Sequence, residues 1–156
     1  MRKSEKRGLI LYGILSLLVL MVIYGQSMLS RQESAGVSGF VVTYLKPVLD
    51  PGDWWKPEDF HYFIRKAGHF TEYMLLGLFY GRFFALLNRH RGKRNVSALL
   101  LTVLTVAVSD EYLQYFTGRG SAVTDVVLDF SGALVGVLLV SVLSYLQSKR
   151  GMKHET

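Results

Sequence analysis

Apolar residues in this chain fall into four long runs separated by short polar stretches. The first, Gly8 to Met28, contains no Asp, Glu, Lys or Arg; three more follow at Ala67 to Leu87, Val96 to Phe116 and Ala122 to Leu146. A bilayer core of about 30 Å takes about 20 helical residues, so each run is long enough to cross it. The pattern predicts an all-α integral membrane four-helix bundle. With 156 residues this is one small domain, with no internal repeat and little mass left outside the bilayer.

Between the first two runs lies the only sizeable connection, residues 29 to 66. Within it Val37, Phe40, Val41, Tyr44, Leu45 and Val48 recur at helical spacing until Pro47 and the Asp50-Pro51-Gly52-Asp53 turn intervene. This predicts a short amphipathic helix lying on the membrane face, in the first extracellular loop. Trp54 and Trp55 are placed at headgroup level. Pro57 suits a first helical turn, with Glu58 and Asp59 complementing the dipole, so the second span starts in water near Glu58.

Charge fixes the expected sidedness. Arg2, Lys3, Lys6 and Arg7 precede the first span, Arg89, Arg91, Lys93 and Arg94 fill the second connection, and Lys149, Arg150 and Lys153 follow the fourth span. All three clusters fall on one side, which puts both termini in the cytoplasm by the positive-inside rule. The formal net charge of +6 is therefore read as topological, with no nucleic-acid partner. A charged start and an apolar run also describe a signal peptide. This run is too long for one, and Gly25-Gln26-Ser27 is a weak cleavage signal, so the helix is read as retained.

Against this background the polar residues inside or at the edge of the apolar runs stand out: Lys66, His69, Glu72 and Tyr73; Asp110, Glu111 and Gln114; Arg119; Asp125 and Asp129. Ionisable groups in a span are costly and usually functional. The predicted topology brings all of them to the outer third of the bilayer. At 100° per residue, Asp125, Asp129, Gly132 and Gly136 share a sector of about 60°, and Asp110, Glu111 and Gln114 one of about 100°. Gly77 with Gly81 and Gly132 with Gly136 form small-xxx-small pairs where backbones can approach.

Carboxylates outnumber cations here, so some must be protonated, bound to a cation or open to water. Three chemistries remain open. His69 and the carboxylates, with Gln114, suit a divalent cation; a carboxylate beside His69 suits acid and base catalysis on a headgroup; Arg119 and Lys66 suit a phosphate. His69, Glu72, Asp110 and Glu111 are thus the candidate catalytic set, with Lys66, Tyr73, Gln114, Arg119, Asp125 and Asp129 as binding residues. The alternative is a structural ion-pair network in which Arg119 bridges Asp110 or Asp125 and Ser121 caps the fourth helix. Arg82 is expected to snorkel to the cytoplasmic face, and His61, His90 and His154 lie outside the cluster. The chain has no cysteine, no nucleophile elbow and no phosphate-cradling glycine loop with a lysine, which argues against thiol, serine-hydrolase and nucleotide-driven chemistry.

Lys66-Ala67-Gly68-His69-Phe70-Thr71-Glu72-Tyr73, Ser109-Asp110-Glu111-Tyr112-Leu113-Gln114-Tyr115-Phe116, and Gly118-Arg119-Gly120-Ser121 with Asp125 resemble the VanZ-like membrane proteins over roughly residues 60 to 140. The family pattern often carries Asn where this chain has Asp129, which implies that a carboxylate there is dispensable. The resemblance implies a bacterial cell-membrane protein. The founding member of the family is associated with resistance to teicoplanin, a lipid-tailed glycopeptide. The expected partners are therefore the lipid bilayer and a lipoglycopeptide or lipid-linked ligand, handled by a binding protein, a membrane enzyme or a transporter. A helper that packs against another membrane protein through the glycine faces is a further alternative, and four helices make so thin a bundle that a homodimer is also considered.

Overall fold

A computed structural model describes residues 3–91 and 95–152. Arg2, Lys93, Arg94, Lys153 and His154, which entered the charge and histidine arguments, lie outside the described residues. Five helices follow one another: α1 (Lys3–Ser27), α2 (Arg31–Leu49), α3 (Pro57–Arg91), α4 (Val96–Phe116) and α5 (Val123–Met152). Four of them, α1, α3, α4 and α5, are long and apolar enough to cross a membrane.

Local chemistry explains the boundaries. Ser30 and Glu33 form a reciprocal capping box at the start of α2, satisfying donors that the first turn leaves free; the same Ser30 bonds lower the pKa of the exposed Glu33. Asn95 caps α4 by accepting from the Ala98 N–H at 3.1 Å. Pro47 does not end α2: the helix runs two residues further, because a proline in the last turn forfeits one bond while the Asp50 N–H still closes onto Lys46 O at 2.8 Å. Asp50 then accepts from the Trp54 and Trp55 N–H groups at 2.9 and 3.1 Å, fixing the sharp turn into α3. Helix α3 begins at Pro57, well before the apolar run at Ala67. Its length of 35 residues, about 50 Å at 1.5 Å per residue, exceeds a bilayer core of about 30 Å.

Helix α3 is the hub, touching α1, α2, α4 and α5, with its most extensive packing against α5. A Cβ on Gly77 would land on the Ala133 carbonyl; one on Gly132 would meet Phe70 O, and one on Gly136 would meet Met74 O and lie 2.6 Å from Leu78 N. Here the two backbones touch, as the glycine spacing predicted. Gly81 is looser, its nearest neighbour the Val137 side chain at 3.5 Å. Glycine faces proposed for holding a partner protein are thus largely consumed inside the chain. Arg82, expected to snorkel, donates from Nη1 to Ser144 Oγ across the same helix pair at 3.1 Å.

The pairs Gly8 with Leu86, Gln26 with Glu72, Phe70 with Gly132 and Arg82 with Ser144 give the directions. Helices α3 and α5 run parallel, and α1 runs antiparallel to α3. A small core of Ile23, Tyr73, Leu76, Val103, Ala107 and Ala133 sits where α1, α3, α4 and α5 meet. Large hydrophobic residues including Ile10, Leu17, Met21, Val108 and Leu138 are exposed, as helices facing lipid rather than water require. Helix α2 packs on α3, burying Val42 and standing with Gly39 against His61. Its stripe of Val37, Phe40, Tyr44 and Val48 is exposed.

Candidate functional site

The polar residues of the spans converge at one end of the bundle. Tyr73, Asp110 and Asp129 are fully buried, Glu111 and Gln114 nearly so, and His69 retains 14% side-chain exposure. Each comes from the inward sector of its helix.

Asp110 is the best-furnished group. Its Oδ1 accepts from Ser27 Oγ and its Oδ2 accepts from Gln114 Nε2 at 3.2 Å, while the buried Tyr73 hydroxyl has no partner. Asp129 is the opposite case. Neither of its oxygens has a hydrogen-bond partner, and the same holds for His69 Nδ1. That nitrogen lies 3.8 Å from Asp129 Oδ1 and 3.9 Å from Asp110 Oδ2. One ligand atom from each of the three residues falls within 4.8 Å of the others. Donors that share an ion at about 2.0–2.6 Å stand roughly 3–5 Å apart, so the set has the spacing of a small divalent-cation site. Buried polar groups are nearly always satisfied, and several orphaned atoms at one point need an explanation. A cation explains them directly.

Around this centre the remaining candidates take separate tasks. Lys66 pairs with Asp125 and also lies over the Tyr62 ring. Glu72 accepts from Gln26 Nε2 at 2.5 Å. Glu111 Oε2 accepts from the Ala122 N–H at 3.0 Å, leaving Oε1 unpartnered. The entry to α5 is therefore held by a carboxylate from α4, and the expected cap from Ser121 is not seen. Arg119 forms no ion pair with Asp110 or Asp125 among the described residues. It donates from Nη1 to the Gln26 carbonyl at 2.8 Å.

The α4–α5 turn explains that placement. Gly118 and Gly120 adopt φ of 72° and 81°, a left-handed conformation that favours glycine. Thr117 Oγ1 bonds to the Ser27 and Gln114 carbonyls, both at 3.1 Å, and the Arg119 N–H bonds to Gln114 O at 3.1 Å. The guanidinium is thereby aimed over the end of α1. Burial, and then the charge of nearby Arg65, lowers the pKa of Arg119 from its ordinary value.

Three contributors were missed in the sequence: Gln26, Ser27 and Arg65. Gln26 and Ser27 looked like the tail of an apolar span, yet they bond to Glu72 and Asp110. Two polar residues closing an uncharged run were the available signal. A cleft of about 160 Å³ opens over the centre, bounded by Gln26, Leu29, Val37, Val41, Arg65, His69, Glu72 and Arg119 among others. Helix α2 forms one wall, and His69 connects the cleft to the buried carboxylates.

Fold and site together define a polytopic helical membrane protein with an enclosed polar centre at one end of its bundle. The model of the VanZ/LLP1 family matches residues 10–144, which takes in all four apolar helices and every candidate residue. The chain belongs to the VanZ/LLP1 family. No curated protein and no solved structure matches it significantly.

Proposed function

We propose that this protein binds or modifies an amphiphile at the outer leaflet, with a divalent cation held by His69, Asp110 and Asp129 beneath the headgroup cleft, and so alters the response of the cell to lipoglycopeptides such as teicoplanin. The observation that carries the reading is the orphaned donor set: two fully buried Asp129 oxygens and His69 Nδ1 converge beside Asp110. An unpaired buried carboxylate is expensive, and a cation both repays that cost and polarises a phosphoryl or carbonyl oxygen brought to it. Sidedness rests on the basic residues. Lys3, Lys6, Arg7, Arg89 and Lys149 belong to the end of the bundle away from the polar centre, and by the positive-inside rule this supports an outward-facing centre. The exposed apolar stripe of α2 and the exposed Trp54 then face the headgroup layer.

A second reading has its own support. At about 160 Å³ the cleft is well below the roughly 300–1,000 Å³ that engulfs a drug-sized molecule. It suits the head of an endogenous lipid-linked envelope intermediate, with any drug resistance a consequence.

The test measures teicoplanin susceptibility of a sensitive Gram-positive host expressing the chain, beside His69→Ala, Asp110→Asn and Arg119→Ala at matched membrane levels. Metal content of the purified proteins is read by elemental mass spectrometry. Protection and bound metal that vanish together in well-inserted His69 and Asp110 variants support the centre. A wild-type chain that confers no protection moves the endogenous-lipid reading ahead, and one that purifies without metal removes the cation.

A further inference from the structure

The cation centre accounts for His69, Asp110 and Asp129, but leaves two guanidinium groups in the cleft above it without a carboxylate. Arg65, from α3, and Arg119, from the α4–α5 turn, both line the cleft, and neither forms an ion pair among the described residues. Both acids that the sequence offered Arg119 are engaged elsewhere: Asp125 belongs to Lys66, and Asp110 accepts from Ser27 and Gln114. Glu72, the carboxylate that shares the cleft, is engaged by Gln26. Arg65 lies over a ring face, its Cζ 5.8 Å from the Tyr62 centroid. Arg65 is exposed and Arg119 half-buried, yet both border one small cleft, where burial and then the charge of Arg65 lower the pKa of Arg119. Such a pair lowers its free energy by taking up an anion, and a guanidinium fork matches a phosphate bidentately.

Leu29, Val37 and Val41 also line the cleft, with Ser34 and Ser38 between them on α2, and Val37 and Val41 continue onto the exposed stripe of α2. A group bound at the guanidiniums can therefore lead an alkyl chain out along α2 without burying it in the bundle. We infer that Arg65 and Arg119 form a headgroup cradle selecting lipids with a net anionic phosphate headgroup, the acyl part leaving along the Val37–Val41 face. This names the substrate class of the amphiphile site and rests on that reading, but not on the cation.

The experiment uses the full chain in mixed micelles of phosphatidylglycerol and phosphatidylcholine, with retained lipid identified by native mass spectrometry and folding checked by thermal unfolding. Wild type is expected to retain phosphatidylglycerol preferentially. Arg65→Ala and Arg119→Ala each reduce its affinity about tenfold, as loss of one charge-assisted bond predicts, and Arg→Lys at either site restores part of it. Arg89→Ala, which removes the same charge from the opposite end, leaves the preference intact. Equal retention of both lipids by wild type overturns the proposal, as does an undiminished preference in folded arginine variants. An equal loss in Arg89→Ala reduces the effect to general electrostatics and also overturns it. Inorganic phosphate supplied alone is expected not to compete at equimolar concentration; full competition would make the ligand a free anion rather than a lipid. Anionic-lipid preference in a metal-free wild type would remove the cation and leave the cradle standing; bound metal without lipid preference would do the reverse.

Discussion

Helices α3 and α5 meet twice, in opposite ways. Around Gly77, Gly132 and Gly136 their backbones are in contact, with no side chain interposed at the closest points. Next along the same pair, about one turn beyond Gly132 at Asp129 and two at Asp125, Lys66, His69, Asp125 and Asp129 fill the space, and several of their polar atoms lack partners. The first region follows the general rule of membrane packing, small residues and close approach. The second breaks the rule that buried polar groups be satisfied. One seam gives the pair its register and the other uses that register to hold groups that packing alone would not select. The contrast separates scaffold from candidate site within a single helix pair.

Four substitutions probe that separation. The largest effect is expected at Gly136→Val, whose side chain must enter the Met74 and Leu78 backbone. Rigid backbone on the far side cannot yield as a side chain does, so the cost should exceed the usual 1–3 kcal/mol of overpacking, roughly 3 kcal/mol or more. Size-exclusion profiles in mild detergent would show loss of the monodisperse species; an unaltered profile and melting temperature would mean that the helices are not in register here. Next is Asp129→Leu. If this residue serves a ligand rather than the fold, its replacement in the presence of a chelator should raise stability by about 1–3 kcal/mol, because an unpaired buried carboxylate is removed. Bound metal and biological effect should disappear together. Lower stability with intact metal would instead make Asp129 part of the scaffold.

A smaller loss is expected for Lys66→Ala. The pair with Asp125 is only partly buried, with side-chain exposures of 18% and 24%, so solvent screening limits the cost to about 1 kcal/mol. A double-mutant cycle with Asp125→Ala isolates the coupling; no coupling would dissolve the pair. The smallest change should be at Gly81→Ala. Its added Cβ meets Val137 at an ordinary 3.5 Å, and the gain in helix propensity of up to about 1 kcal/mol offsets any crowding. Equal damage at Gly81 and Gly136 would show that the close approach extends along the whole seam.

Parts of this were legible from spacing alone. Residues 96–116 were read as one helix and α4 has those bounds, since an uninterrupted apolar run between polar loops leaves little choice. The polar stripes of His69 and Tyr73, of Asp110 and Gln114, and of Asp125 and Asp129 also gave the inward faces, because helical phase is a property of the local sequence. Helix α2 was visible in the period of Val37, Phe40, Val41 and Tyr44. Pro47, read there as an interruption, lies in its last turn, where a proline is tolerated, and the helix ends at the Asp50 turn.

Partnerships were not legible in the same way. Nothing local says that Lys66 takes Asp125, that Glu111 holds the entry to α5, or that Arg119 reaches the Gln26 carbonyl. Asp129 illustrates the gap: family pattern made its charge dispensable, whereas the fold puts it beside His69 and Asp110 with both oxygens free. Arg65 carried no sequence signal, being one more cation before a span. By itself the sequence determined the class of molecule, its spans and the inward faces of its helices, since hydropathy and helical period act over short stretches. Only the tertiary structure decided which of those inward groups are satisfied and which are left without partners, because that depends on distances between helices that no single segment encodes.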